Sequence, residues 1–307
     1  MTKRIPIILI TGYLGAGKTT LINHLLSSDH GRRIAVLVND FGAINIDASL
    51  IVDRDEQAIS LANGCVCCSI TDDLGAALDA QATRDEPPEI VVLEASGVAE
   101  PQRIALHAGY WPGFRLDATI TLVDAETVRA RALDKFVGKL VQNQIKAGDI
   151  LILNKTDLVP KETCESLTNW ISDLSPNAII VEAHKGQVPP SLLMDGSHHL
   201  NALDMDETDQ SPSGFVTRSW IPPVALDKKR LSESLDKLPQ SIHRVKGFFR
   251  DLDTGALTLL QQVGRRRVFE EAGEVEADVG FVMIAVGSAN DLELAVDLID
   301  EAFGTSS

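Results

Sequence analysis

Three of the four cysteines stand within four positions, Cys65, Cys67 and Cys68, in the run Asn63-Gly64-Cys65-Val66-Cys67-Cys68. Thiols clustered so densely predict either soft-metal ligation or redox chemistry, whereas Cys164, alone in a predicted helix, is expected to pack. A second run, from Gly12 to Thr20, reads Gly-Tyr-Leu-Gly-Ala-Gly-Lys-Thr-Thr and has the spacing of a phosphate-binding loop. Gly12, Gly15, Ala16 and Gly17 let backbone amides turn inward around a phosphate. Lys18 reaches the terminal phosphates, Thr19 offers a hydroxyl to magnesium, and Thr20 closes the run at a helix start.

Further along, Asn154-Lys155-Thr156-Asp157 ends a very apolar stretch. A carboxylate at Asp157 can accept from both the ring N1–H and the 2-amino group of guanine, two donors that adenine does not present together. The base is therefore expected to be guanine, held by Asn154, Lys155 and Asp157, with an amide near Ala183, in the run Glu182–Gly186, reaching the guanine oxygen. Glu94 ends another buried run and is followed by Gly97. An acid there can hold magnesium through water, and the glycine amide can meet a γ-phosphate. The stretch from Leu37 to Asp47, with carboxylates at Asp40 and Asp47, lies where a loop sensing that phosphate would sit. In this order the motifs predict a GTPase.

The elements that must position these residues are strand-length apolar runs at 6–10, 34–38, 90–93, 118–123, 149–153 and 178–181, separated by helical patterns. Fully apolar strands alternating with helices predict an α/β fold, a P-loop NTPase domain whose mostly parallel sheet is covered by helices on both faces. That domain is expected over 1–186. A polar, proline- and glycine-containing stretch at 187–213 reads as a linker. Beyond it, strands at 215–219, 242–249, 256–262 and 280–286 with helices at 227–238 and 289–303 predict a smaller α+β domain over 214–307.

The formal charge of −16 repels nucleic-acid phosphates and anionic lipid, so neither nucleic acid nor membrane is an expected partner. No apolar run approaches the roughly eighteen residues of a membrane helix. The first apolar run enters a glycine loop instead of a small-residue cleavage site. A cytoplasmic monomer or homodimer with reduced thiols is the expectation.

With Gly12–Thr20, the motif Asn39-Asp40-Phe41-Gly42, the cysteine run at 64–68, Glu94-Ala-Ser-Gly97-Val-Ala-Glu-Pro101 and Asn154–Asp157 in place, the sequence resembles the CobW-like metallochaperone GTPases. These are relatives of the GTPases that deliver nickel to urease and hydrogenase. The segments 244–249 and 259–264 resemble that family's C-terminal domain. The resemblance implies that the cysteines bind a transition metal, zinc foremost with cobalt or iron as further possibilities. Two or three of Cys65, Cys67 and Cys68 would supply sulfur, and a carboxylate such as Asp40, or an imidazole, would complete the shell. Thiolates select such ions over magnesium, so Mg–GTP and a softer cation can share one domain. Where the family reads Asn-Glu-Phe-Gly-Glu, this chain has Asp40 and Ala43, one carboxylate shortened and one missing. Histidines near the domain junction reduce to His184, His198 and His199, expected to be solvated; His24 and His107 fall in helical patterns.

The implied cycle has Mg–GTP drawing Asp40 and the thiolates together, and hydrolysis releasing the ion to a client protein recognised through the C-terminal domain. Hydrolysis would rest on Lys18, magnesium at Thr19 and Glu94, and a carboxylate, Asp40 or Glu94, positioning water, with slow intrinsic turnover. A GTP-modulated metal sensor or buffer, and a GTPase gating the loading of a cobalamin-type cofactor, are the alternatives.

Overall fold

Runs of five consecutive apolar or strand-tip residues have no wet face, and they form strands buried from end to end. The computed structural model describes residues 4–28, 31–38, 58–60, 69–194, 215–222, 225–239, 241–264, 266–272, 279–286 and 289–303. Asp40, Ala43, Asp47, Cys65, Cys67, Cys68, His198 and His199 lie outside the described residues. The chain divides into two compact units, one spanning Arg4–Pro190 and the other starting at Ser191.

The first unit runs β1 (Ile5–Thr11), α1 (Lys18–Ser27), β2 (Ile34–Val38), β3 (Ala58–Ser60), α2 (Ser69–Ala82), β4 (Ile90–Glu94), α3 (Pro101–Gly109), β5 (Phe114–Asp124), α4 (Val128–Leu133), α5 (Gly138–Ala147), β6 (Ile150–Asn154), α6 (Lys161–Leu174) and β7 (Ile179–Glu182). Its seven strands lie in the order β3-β2-β4-β1-β5-β6-β7. Every pairing is parallel. Ile7 and Leu9 of β1, with Val91 and Leu93 of β4, pack against Leu74 and Leu78 of α2 and Ile104 and Ala108 of α3. Leu151 and Leu153 of β6 pack instead with Val141 and Ile145 of α5 and Leu167 and Ile171 of α6. A parallel sheet brings all strand C-termini to one edge, so Thr11, Glu94, Asp124, Asn154 and Glu182 end side by side. β3 was not among the expected strands; three residues are too few to show a period.

The second unit begins with a short helix, α7 (Pro190–Leu193), inside the stretch read as a linker; Leu192 and Leu193 are buried. Then follow β8 (Phe215–Trp220), α8 (Lys228–Leu235), β9 (Ile242–Arg250), β10 (Leu257–Val263), β11 (Arg266–Glu271), β12 (Gly280–Val286) and α9 (Ala289–Phe303). The sheet order is β11-β10-β9-β12-β8, antiparallel throughout. Val245, Phe249, Phe281 and Met283 meet Leu231 and Leu235 of α8 and Leu292, Ala295 and Ile299 of α9. Trp220 stacks on Phe281 with ring centroids 5.6 Å apart. Asp227 caps α8 by accepting from the Arg230 amide at 2.6 Å. Among the described residues, no helix is long and apolar enough to cross a membrane.

One stability consequence sits in β9. His243 is buried, and burial pushes its pKa down from 6.5 to about 4. The unfolded chain takes up this proton below about pH 6.5, whereas the folded chain resists it until about pH 4. Stability is thus retained above the higher value and falls as pH drops through that window, by about 3 kcal/mol in full. Urea melts of the full chain at pH 7.5 and 4.5 are expected to show this loss, and His243→Gln to remove most of it.

Candidate functional site

The loop between β1 and α1 depends on glycine at points the fold makes explicit. Gly12, Gly15 and Gly17 have φ of 133°, 78° and 106°, in the left-handed region. A Cβ on Gly12 would overlap the Leu122 carbonyl oxygen, and one on Gly17 the Asn154 side-chain amide. Gly17 caps α1 without a side chain, so nothing of its own competes for the first-turn amides, and the positive end of α1 faces the loop. Lys18 is buried, with its Nζ 3.2 Å from the Gly12 carbonyl. Thr20 is exposed and Ala16 buried.

Thr19 stands in the first turn of α1 and Glu94 at the end of β4. The Thr19 hydroxyl lies 3.5 Å from Oε1 of Glu94, which is 2% exposed. A hydroxyl and a carboxylate oxygen at that separation suit one hard divalent cation such as magnesium. Gly97 sits directly against the phosphate loop: a Cβ there would lie 2.8 Å from the Leu14 amide nitrogen and 2.6 Å from its side chain. The turn after β4 and the loop after β1 are therefore in van der Waals contact because residue 97 has no side chain.

Asn154 has a role the sequence did not reveal. Its Nδ2 donates to the Ala16 carbonyl at 2.9 Å, and its Oδ1 accepts from the Gly186 amide at 3.0 Å. Both halves of the side chain are spent tying the phosphate loop to the loop after β7, so Asn154 positions the two loops. Lys155 adopts φ 64° and places Nζ 2.8 Å from Asp124 Oδ2, while the other oxygen of Asp124 accepts from the Glu126 amide at 2.9 Å. Asp157 stands exposed in a 3-10 turn, Thr156–Leu158. The Ala183 amide corrects an expectation. It donates to the Leu153 carbonyl at 2.8 Å, and the Ala183 carbonyl accepts from Thr156. That amide serves the sheet and is not free for a guanine oxygen.

Sequence reasoning also missed Gln144 of α5, whose Nε2 donates to the carbonyls of Gly97 and Ala99 at 3.1 and 3.2 Å. It missed Trp111 as well, because both groups act only through partners distant in the chain. Trp111 Nε1 donates to Asp79 Oδ1 at 2.8 Å, and its indole fills the notch at Gly75, where a Cβ would overlap the ring. Trp111 thus fixes α2, the helix that starts one residue after Cys68. His107 is a ring neighbour of Trp111, centroids 5.2 Å apart, and His24 lies 3.0 Å from the Val188 carbonyl. Cys164 is buried, and burial pushes its thiol pKa up, as for a packing residue. The fold thus brings Gly12–Thr20, Glu94, Gly97 and Asn154–Asp157 to one edge; Asp40 and the three clustered cysteines lie outside the described residues.

Comparison with known proteins follows this geometry. The model of the CobW/HypB/UreG nucleotide-binding domain matches residues 6–182, and that of the cobalamin synthesis protein CobW C-terminal domain matches 215–300. A zinc chaperone CobW of a Sinorhizobium species is 31% identical over 340 residues, covering 95% of this chain and 95% of its own. A zinc chaperone CobW of Pseudomonas aeruginosa is 30% identical, covering 86% of this chain and 81% of its own. A zinc-regulated GTPase metalloprotein activator 1 of Dictyostelium discoideum is 28% identical, over 61% of this chain and 47% of its own length. With a family model spanning more than half of the chain and a relative aligned along nearly all of it, this protein belongs to the CobW/HypB/UreG family and carries that family's nucleotide-binding domain, followed by the CobW C-terminal domain.

Proposed function

We propose that this protein is a cytoplasmic, GTP-hydrolysing metallochaperone: it binds zinc at Cys65, Cys67 and Cys68 under control of Mg–GTP and passes it to a client protein. The observation that carries the reading is the pair of hydrogen bonds by which Asn154 donates to the Ala16 carbonyl and accepts from the Gly186 amide. It joins the phosphate loop to the guanine edge, an arrangement that serves a guanine nucleotide spanning both. The zinc-chaperone and GTPase-activator names of the relatives support zinc as cargo and GTP as substrate.

In this reading Gly12–Thr20 hold the phosphates by backbone amides, with Lys18 drawn from the Gly12 carbonyl to the terminal phosphate oxygens. Thr19 and Glu94 would hold magnesium, which neutralises charge on the β- and γ-phosphates. The closeness of Glu94 to Thr19 supports giving the metal role to Glu94 and the water-positioning role to Asp40. The Gly97 amide meets the γ-phosphate, and Asp157 reads the base. The cysteines come between the γ-phosphate-sensing segment and α2 in the chain, so GTP binding at that segment would change the thiolate spacing. Linkage makes the effect reciprocal: zinc must alter nucleotide affinity by the same factor.

Competitive zinc titration without nucleotide, with Mg–GDP and with a non-hydrolysable Mg–GTP analogue tests the coupling. The expected result is tenfold or tighter binding with the GTP analogue, about 1.4 kcal/mol, lost in the Cys65→Ser, Cys67→Ser, Cys68→Ser triple variant. Equal affinity in all three states would refute gating by GTP. Failure of zinc to leave for an apo-metalloprotein after hydrolysis would refute delivery and leave a sensor or buffer.

A further inference from the structure

Gln144 is 1% exposed and touches the turn between β4 and α3 from outside it. Its Nε2 donates to the carbonyls of Gly97 and Ala99. Its own main-chain carbonyl accepts from the Thr121 hydroxyl of β5 at 3.0 Å, so the helix end carrying it is anchored to the sheet. Its Oε1 is buried and has no hydrogen-bond partner among the described residues. The orphaned acceptor is unfavourable, so the amide is kept for its donor side, which satisfies two main-chain carbonyls of the turn. What the amide holds is the segment that contacts Leu14 of the phosphate loop.

We propose that Gln144 is a positioning residue for GTP hydrolysis: by gripping the carbonyls on both sides of Val98 it fixes the backbone of Gly97 and aims its amide at the γ-phosphate. The inference rests on the GTPase reading above. Because GDP lacks the phosphate in question, Gln144 matters for turnover and not for the shared part of the nucleotide. The side chain also borders a cleft lined by Tyr13, Leu14, Asp124 and Arg131, so α5, β5 and the phosphate loop share one wall. Arg131 packs over the Tyr13 ring at 5.5 Å on the same side.

Steady-state GTP hydrolysis and GDP affinity are measured for wild type, Gln144→Met and Gln144→Glu, after thermal melts establish folding. Methionine keeps the length and removes both donors. Its kcat is expected to fall tenfold or more, with KM and GDP affinity within threefold of wild type. A kcat within twofold of wild type, or a GDP affinity that falls in parallel with kcat, overturns the proposal. If Gln144→Met does not fold, Gln144→Glu carries the test: a protonated carboxyl donates one hydrogen bond and the carboxylate none. Its kcat must then drop as the carboxyl ionises while wild type stays flat over that range, and a flat profile overturns the proposal. Absence of hydrolysis and GTP binding in wild type would instead refute the GTPase reading itself.

Discussion

Asn154→Ala is expected to weaken GTP and GDP binding by at least about a hundredfold while leaving the protein folded. The side chain is 2% exposed and spends its donor on Ala16 and its acceptor on Gly186. Truncation leaves a buried carbonyl and a buried amide without partners, each costing about 1–3 kcal/mol. The two loops are separate in sequence and touch through this side chain. Without it the nucleotide must itself order them, so much of the cost falls on affinity; about 2.7 kcal/mol is the stated hundredfold. Asn154→Asp discriminates further. The carboxylate keeps the bond from the Gly186 amide but faces the Ala16 carbonyl with a negative oxygen, so it should be no better than alanine. Fluorescent GDP titration with far-ultraviolet circular dichroism as the folding control decides the matter. Affinity within threefold of wild type would show that the bridge is not part of the nucleotide site.

The same side chain shows where sequence reading stops. The N-K-x-D spacing predicts a guanine site; Asn154 ends β6, and Lys155 and Asp157 follow in the turn beyond it. That Asn154 is a tie between loops depends on Ala16 and Gly186, 138 and 32 residues away, and no local pattern encodes such a distance. Strands built from uninterrupted apolar residues, such as Ile34–Val38 and Ile150–Asn154, were legible because burial on both faces leaves a compositional trace. β11, Arg-Arg-Val-Phe-Glu-Glu, was not, since an edge strand carries charges that read like a loop. Gln144 sits on α5 among Val141 and Ile145, where one buried polar residue looks like any interior helix position. Trp111 and Gly75 are legible only as a pair, a ring and the absence of a side chain. Their fit nevertheless matters for any signal passing from the turn after β4: α3 follows that turn directly, Trp111 lies just past the end of α3, and α2 leads back to the cysteines.

Gly247→Ala is expected to melt the second unit at a temperature where the first stays folded, which tests whether the second unit recognises the client. Gly247 lies in the middle of β9, opposite Leu260 of β10 and Phe281 of β12. A Cβ there would overlap the Gly280 carbonyl oxygen and crowd the Phe281 backbone. Neither neighbour is a flexible side-chain tip, so Gly247→Ala must force β9 and β12 apart, breaking ladder hydrogen bonds and unseating Phe281 from the core. Overpacking of this kind costs about 3 kcal/mol. In a unit of this size each kcal/mol moves the midpoint by about 4–8 °C, so its transition should drop by about 12–24 °C. The first unit has its own clusters on β1, β4 and β6, and its transition, read in the presence of Mg–GDP, is expected to stay within about 2 °C of wild type. GDP affinity and GTP turnover should persist at temperatures where the second unit has melted, and zinc transfer to an apo-metalloprotein should be lost there if that unit recognises the client. Both transitions moving together would mean that the two units fold as one cooperative block. Transfer surviving the melt would assign client recognition to the nucleotide-binding unit.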